Sequence, residues 1–181
     1  MTENNHNHPA SREALRDWRT PLRVDGPPAP TPAECHLVVG FDSHPASHAA
    51  LTYALDLAGR LNAFLHVAHI VDIDDMPIEP DRDDWEQRYA DAVEAERTEA
   101  CAMLAALPGN WAYYSREGTP AHLLTTIAEA NDALMIVIGT SRGGLMSLLE
   151  RFVGESVSSK LVHHARRPVL LVPVPPLEER A

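Results

Sequence analysis

The chain has 181 residues, of which 45% are hydrophobic, enough for one domain with a sizeable core. Its 26 acidic and 15 basic residues give a formal charge of -11, which argues against non-specific nucleic-acid binding, since that runs on basic patches and released counterions. Two cysteines, Cys35 and Cys101, make no disulfide framework, no apolar run approaches the roughly 20 residues of a membrane span, and the N-terminus lacks the apolar core of a signal peptide; a cytoplasmic setting is expected.

Residues 1–33 read as a flexible N-terminal tail. Pro21, Pro27, Pro28, Pro30 and Pro32 oppose a regular helix or a central strand, although residues 12–18 could form one short helix. The domain itself is expected over residues 34–174, with a C-terminal tail at 175–181. Residues 36–42 form a short unbroken apolar run, the mark of a strand covered on both faces. A turn through Asp42 and Pro45 follows, with Ser47 as the expected N-cap of a helix whose apolar side is Leu51, Ala54, Leu55 and Ala58. Residues 64–71 are the second strand. A loop then leads to a long helix over 85–107, stopped by Pro108-Gly109-Asn110. Residues 111–116 are aromatic and partly polar, which predicts an edge strand. Thr119-Pro120 opens the next helix, with Leu123, Leu124, Ile127 and Ala128 facing inward. Residues 133–138 form a fourth strand that runs into Gly139. A last helix over 155–166 and a fifth strand over 168–174 complete the pattern.

Alternating β and α elements with short connections predict an α/β fold: a doubly wound, five-stranded parallel sheet of order 3-2-1-4-5, helices on both faces, Rossmann-like. Ligands of such sheets sit beyond the carboxyl ends of the strands, where the strand order reverses. That rule brings Asp42, the end of the second strand and Gly139 to one crevice. Glycine-rich turns at Gly139–Gly144 and at Gly154 there suit a phosphate cradled by backbone N–H groups.

Four patches resemble the universal stress protein family: Val38-Val39-Gly40-Phe41-Asp42-Ser43-His44-Pro45-Ala46-Ser47; Leu65-His66-Val67; Glu117-Gly118-Thr119-Pro120-Ala121; and the glycine stretch through to Pro173. The resemblance implies a homodimer and ATP binding through Gly-x2-Gly-x9-Gly-Ser/Thr. Gly144 and Gly154 keep the nine-residue spacing, whereas four residues separate Gly139 from Gly144 and Glu155 stands where a hydroxyl belongs. A carboxylate about 4 Å from a phosphate is repelled by roughly a few kcal/mol at an effective dielectric near 20. Glu155 must therefore turn outward, hold a bridging Mg²⁺, or leave Ser156 to meet the phosphate. By resemblance, Asp42 lies at the ribose, Val67 offers backbone contacts to adenine, and Ile138 packs near the base or ribose. Gly139, Gly144 and Gly154 admit the phosphates, Ser156 donates a hydroxyl, and Arg142 offsets charge at the mouth. Each glycine also has a simpler reading, a tight turn of positive φ.

The expectation is thus a nucleotide-binding stress or signalling protein and not a classical enzyme; weak ATP hydrolysis stays open, although no clear general base is visible. Its apolar edge strand, Val169-Leu170-Leu171-Val172-Pro173-Val174, is the expected dimer contact. Two alternatives stand beside it. One is a member of the same family that binds no ATP and acts by protein contacts. The other is a small serine hydrolase using Ser141 in Gly139-Thr140-Ser141-Arg142-Gly143, with Glu150 or Glu155 and His163 or His164. Arg166 and Arg167 suit a helix C-terminus. His44, His48, His66 and His69 lie on different elements without cysteines at zinc spacing, so no metal site is expected.

Overall fold

The computed structural model describes residues 21–42, 44–71, 84–140, 161 and 165–174. In chain order these form β1 (Leu22–Asp25), β2 (Cys35–Phe41), α1 (Pro45–Leu61), β3 (Ala63–Val71), α2 (Trp85–Leu104), β4 (Trp111–Glu117), α3 (Pro120–Ala130), β5 (Met135–Thr140) and β6 (Val169–Pro173). The strands make one sheet of order β1-β4-β3-β2-β5-β6. Neighbours from β4 to β6 are parallel, in the order expected of the five apolar runs. The sheet gains a sixth strand, β1, antiparallel to β4.

The unbroken apolar runs are explained by the two covered faces. Leu37, Val39, Leu65, Val67 and Tyr113 point into a core with Leu51 and Ala54 of α1 and Leu104 of α2. Val38, Ala68, Ile136 and Ile138 point the other way, against Leu124, Ile127 and Ala128 of α3 and against Leu161. Leu37, Val38 and Val39 are all 0% exposed, so consecutive residues are buried on opposite faces. Each such side chain contributes about 1.5–3 kcal/mol by leaving water.

The stretch before β2 corrects two expectations. Residues 21–33, read as tail, carry β1 and a proline-rich strap, and β4 is therefore no edge. The strand escapes pattern reading because it is four residues long, caught between Pro21 and Gly26-Pro27. Proline confines such a segment to an edge, and an edge is where it lies. Gly26 donates its N–H to the Trp111 carbonyl at 2.9 Å. Two left-handed asparagines then clasp the strap: Asn62 (φ 46°) donates its side-chain amide to the Pro32 carbonyl at 3.0 Å, and Asn110 (φ 60°) donates to that of Thr31 at 3.2 Å. Arg166 and Arg167 pair with Glu129 and Asp132.

A polar chain crosses the sheet beneath β1. The guanidinium of Arg23 lies over the Tyr114 ring, 5.4 Å from its centroid. The Tyr114 hydroxyl is 3.0 Å from His66 Nδ1, and His66 Nε2 is 3.0 Å from His36 Nδ1. Burial pushes the His66 imidazole down to about 4, and neighbouring His36 and Arg23 add to this. The unfolded side chain titrates near 6.5, so the unfolded chain binds the extra proton across the interval between. Stability is therefore lost as pH falls from about 6.5 to about 4. In urea titrations at pH 7 and pH 4.5, His66→Gln should reduce this loss by about 2 kcal/mol once solvent screening is allowed for. Equal losses in both proteins would contradict the assignment.

Candidate functional site

The strand order reverses between β2 and β5, and there the sheet comes apart. The ladder joining them runs from Leu37–Met135 only to Val39–Val137. On one side β2 stays paired with β3 as far as Phe41–His69. On the other, β5 stays paired with β6 as far as Thr140–Pro173. Gly40 and Phe41 thus part from Ile138, Gly139 and Thr140 while each strand keeps its outer neighbour. At about 3.3 Å per residue, the opening is roughly 7–10 Å deep.

The first turn of α1 occupies the mouth of this split. The helix starts at Pro45, with His44 as N-cap and no side-chain cap bond. Ser47, expected as the cap, has another task. Its hydroxyl donates to the Asp42 carbonyl at 2.6 Å, with the His44 carbonyl also 3.0 Å away, and it accepts the Asp42 N–H at 3.1 Å. Ala46 lies against β5: a Cβ on Gly139 would stand 2.0 Å from the Ala46 carbonyl oxygen. Gly139 is still part of strand β5 and is not among the positive-φ glycines, so close approach, not turn conformation, demands it. The positive end of a helix thereby faces the split; Pro45 carries no N–H, and Ser47 and His48 give theirs to the His44 carbonyl, so the Ala46 N–H is the first-turn donor left. The Asp42 carboxylate stands at the lip, half-exposed; its Oδ1 accepts the His44 N–H at 2.8 Å.

Of the residues singled out in the sequence, Asp42, Ile138 and Gly139 converge here. Ile138 is buried, its Cγ2 3.5 Å from where a Gly40 Cβ would be. Val67 does not reach the split. It lies mid-strand in β3, 0% exposed, paired with Val39 on one side and Tyr113 on the other. Val39 forms the last rung below the opening, so Val67 stands one strand away from its floor. The β3 residues level with the opening are Ala68 and His69, the partners of Gly40 and Phe41. Arg142, Gly144, Gly154, Glu155 and Ser156 lie outside the described residues. So do Ser141, Glu150, His163 and His164 of the hydrolase alternative.

The sequence did not disclose a second polar group near the end of β3. His69, 2% exposed, places Nδ1 2.6 Å from the Tyr113 hydroxyl and Nε2 2.6 Å from Glu96 Oε2 on α2. Burial raises Tyr113 well above the usual phenol range, so its hydroxyl keeps its proton. The contact between Nε2 and the Glu96 carboxylate pins α2 to the sheet. A histidine inside an apolar run was the available signal, but its partner lies 27 residues on, in a helix whose position no local pattern gives.

A model of the universal stress protein family matches residues 36–173. A universal stress protein of Methanocaldococcus jannaschii is 27% identical over 146 residues, covering 78% of this chain and 84% of that relative. One from Mycolicibacterium smegmatis is 31% identical over 146 residues; the match takes in 75% of this chain and 45% of the relative, less than half its length. Among solved structures, a universal stress protein in complex with cAMP superposes with a TM-score of 0.58 at 23% identity, over 80% of this chain and 100% of that one. Another, from Archaeoglobus fulgidus and in complex with dAMP, gives 0.52 at 18% identity, over 76% and 97%. These two likenesses establish the Rossmann-like fold.

The contact between Ala46 and Gly139 has a direct test. Gly139→Ala places a methyl group where the Ala46 carbonyl stands, and overpacking of this kind costs about 1–3 kcal/mol. Chemical denaturation should show that loss. A stability within about 0.5 kcal/mol of the original, a change typical of a neutral surface site, would mean that α1 does not rest on β5.

Proposed function

Because this chain belongs to the universal stress protein family, we propose that the split between β2 and β5 binds an adenine nucleotide, with ATP as the ligand. The observation that carries the reading is the ladder that stops at Val39–Val137 with a helix N-terminus set into the gap. Family members of the same fold are in complex with cAMP and dAMP, which have adenine and one phosphate in common.

The residues at hand fit such a ligand. The half-exposed Asp42 carboxylate can accept from ribose hydroxyls. The Ala46 amide and the positive end of the α1 dipole supply a donor and partial positive charge to a phosphate. Ile138 beside the split and the Val39–Val137 rung at its floor give the apolar bed for the base. Gly139, Gly144 and Gly154 let backbone approach the phosphates, Ser156 donates a hydroxyl, and Arg142 balances charge. Glu155 would hold Mg²⁺, whose charge would offset the repulsion between that carboxylate and the phosphates. Binding then acts by linkage: a ligand at one hundred times its Kd stabilises the bound state by about 2.7 kcal/mol, enough to shift dimerisation or partner choice. The setting is the cytosol, in keeping with the two free thiols, Cys35 and Cys101. No described helix is long and apolar enough to cross a membrane.

The dimer contact we propose is the outer edge of β6. Val169, Leu170 and Leu171 are half-buried there, and Pro168 and Pro173 limit the strand to a short apolar edge. Leu171→Glu should convert the dimer to monomers in sedimentation, and an unchanged mass would rule out this edge. For the ligand, the purified protein is denatured and its supernatant chromatographed, and the stripped protein is titrated calorimetrically with ATP and Mg²⁺. Released adenine nucleotide or saturable heat is expected, with Kd about tenfold higher in Asp42→Ala, a loss of about 1.4 kcal/mol. Neither nucleotide nor heat would leave a family member that works by protein contacts alone.

A further inference from the structure

We propose that Ser47 is the positioning residue that keeps β2 and β5 apart and so holds the site open; its functional arm rests on the nucleotide reading above. The residue sits in the third position of α1 and is 7% exposed. Its hydroxyl has one hydrogen and two lone pairs. The hydrogen goes to the Asp42 carbonyl, and a lone pair takes the Asp42 N–H. Both backbone groups of Asp42 are thereby held by one side chain, five residues on. A residue bound in both directions in this way offers nothing to a neighbouring strand, and the chain leaves the sheet at Asp42.

The preceding residue does the complementary work. Ala46 presses its carbonyl onto β5 at Gly139, where any side chain would collide with it. Consecutive residues of one helical turn therefore hold both sides of the split, Ala46 against β5 and Ser47 on Asp42, the residue that follows β2. The turn acts as a wedge. Three observations meet in it: the ladder ends at Val39–Val137, the hydroxyl clasps Asp42, and Gly139 has no Cβ. The carbonyl of the N-cap residue His44 is a second acceptor for the same hydrogen at 3.0 Å, and the Asp42 carbonyl at 2.6 Å is the shorter of the two. Ser47 is placed to act on the ligand through Asp42 and the Ala46 amide, whose positions it sets.

The test uses the full chain and two substitutions. Ser47→Ala removes the hydroxyl and suits a helix, whereas Ser47→Thr keeps the hydroxyl. Amide hydrogen exchange without nucleotide reads the clasp itself: the Asp42 N–H should exchange about tenfold faster in S47A and at the original rate in S47T. Calorimetry with ATP and Mg²⁺ reads the consequence: Kd should rise about tenfold in S47A, recover in S47T, and stay unchanged in Ile127→Val, a destabilising change in the α3 core. If the parent protein binds and S47A binds equally well, Ser47 does not position the site. If the parent protein binds no nucleotide, the ligand reading fails. The exchange arm then decides by itself, and an unaltered Asp42 amide in S47A would overturn the clasp.

Discussion

Everything that distinguishes this sheet from a plain stack of strands follows from the early end of one ladder. Two central strands, β2 and β5, stop pairing after Val39–Val137, although each keeps its outer neighbour for two or three residues more. Unpaired backbone groups in the middle of a sheet are costly unless something else satisfies them. Beyond the end of β2 a serine hydroxyl from α1 takes up both backbone groups of Asp42, and on the β5 side a backbone carbonyl fills the space that a side chain at Gly139 would need. The same helix turn brings its positive end to the gap. Chain direction, strand order and helix polarity thus agree on one location.

Much of this was legible in the residues. Unbroken apolar runs separated by amphipathic stretches carry the parallel sheet, and the order of five strands follows from right-handed crossovers. Asp42 and Gly139 were placed at the switch point before any likeness was considered. What was not legible depended on partners distant in sequence. The four residues of β1 have no periodicity to display, and only Trp111, Tyr114 and the two left-handed asparagines reveal where that segment belongs. Ser47 resembled a cap because serine before an apolar helix usually is one; the helix instead starts earlier, at Pro45. Gly139 resembled a turn because glycine often supplies positive φ, whereas here it supplies space. Val67 was aligned by its neighbours in the chain, but the register puts it one strand from the floor of the gap and below its mouth.

The charge distribution has a similar logic. A chain of net charge -11 repels nucleotide phosphates at long range, so attraction must come from fixed local donors. Helix-terminal amides serve because their partial charges are oriented by the fold and do not depend on side-chain content. The buried polar groups lie elsewhere. His36, His66 and Tyr114 tie the sheet beneath β1, while His69, Tyr113 and Glu96 tie α2 to the opposite face. These ties brace the strands on either side and leave the gap itself to backbone groups and one exposed carboxylate.

The central claim, that the gap between β2 and β5 is where an adenine nucleotide binds, is tested most directly by amide-resolved NMR during a titration with ATP and Mg²⁺. The account predicts the largest shifts at Gly40–Asp42, Ala46–His48 and Ile138–Thr140, with the amides of Asn62 and Asn110 at the far end of the sheet unmoved. Saturable shifts centred anywhere else, or none at concentrations far above a plausible Kd, would contradict it.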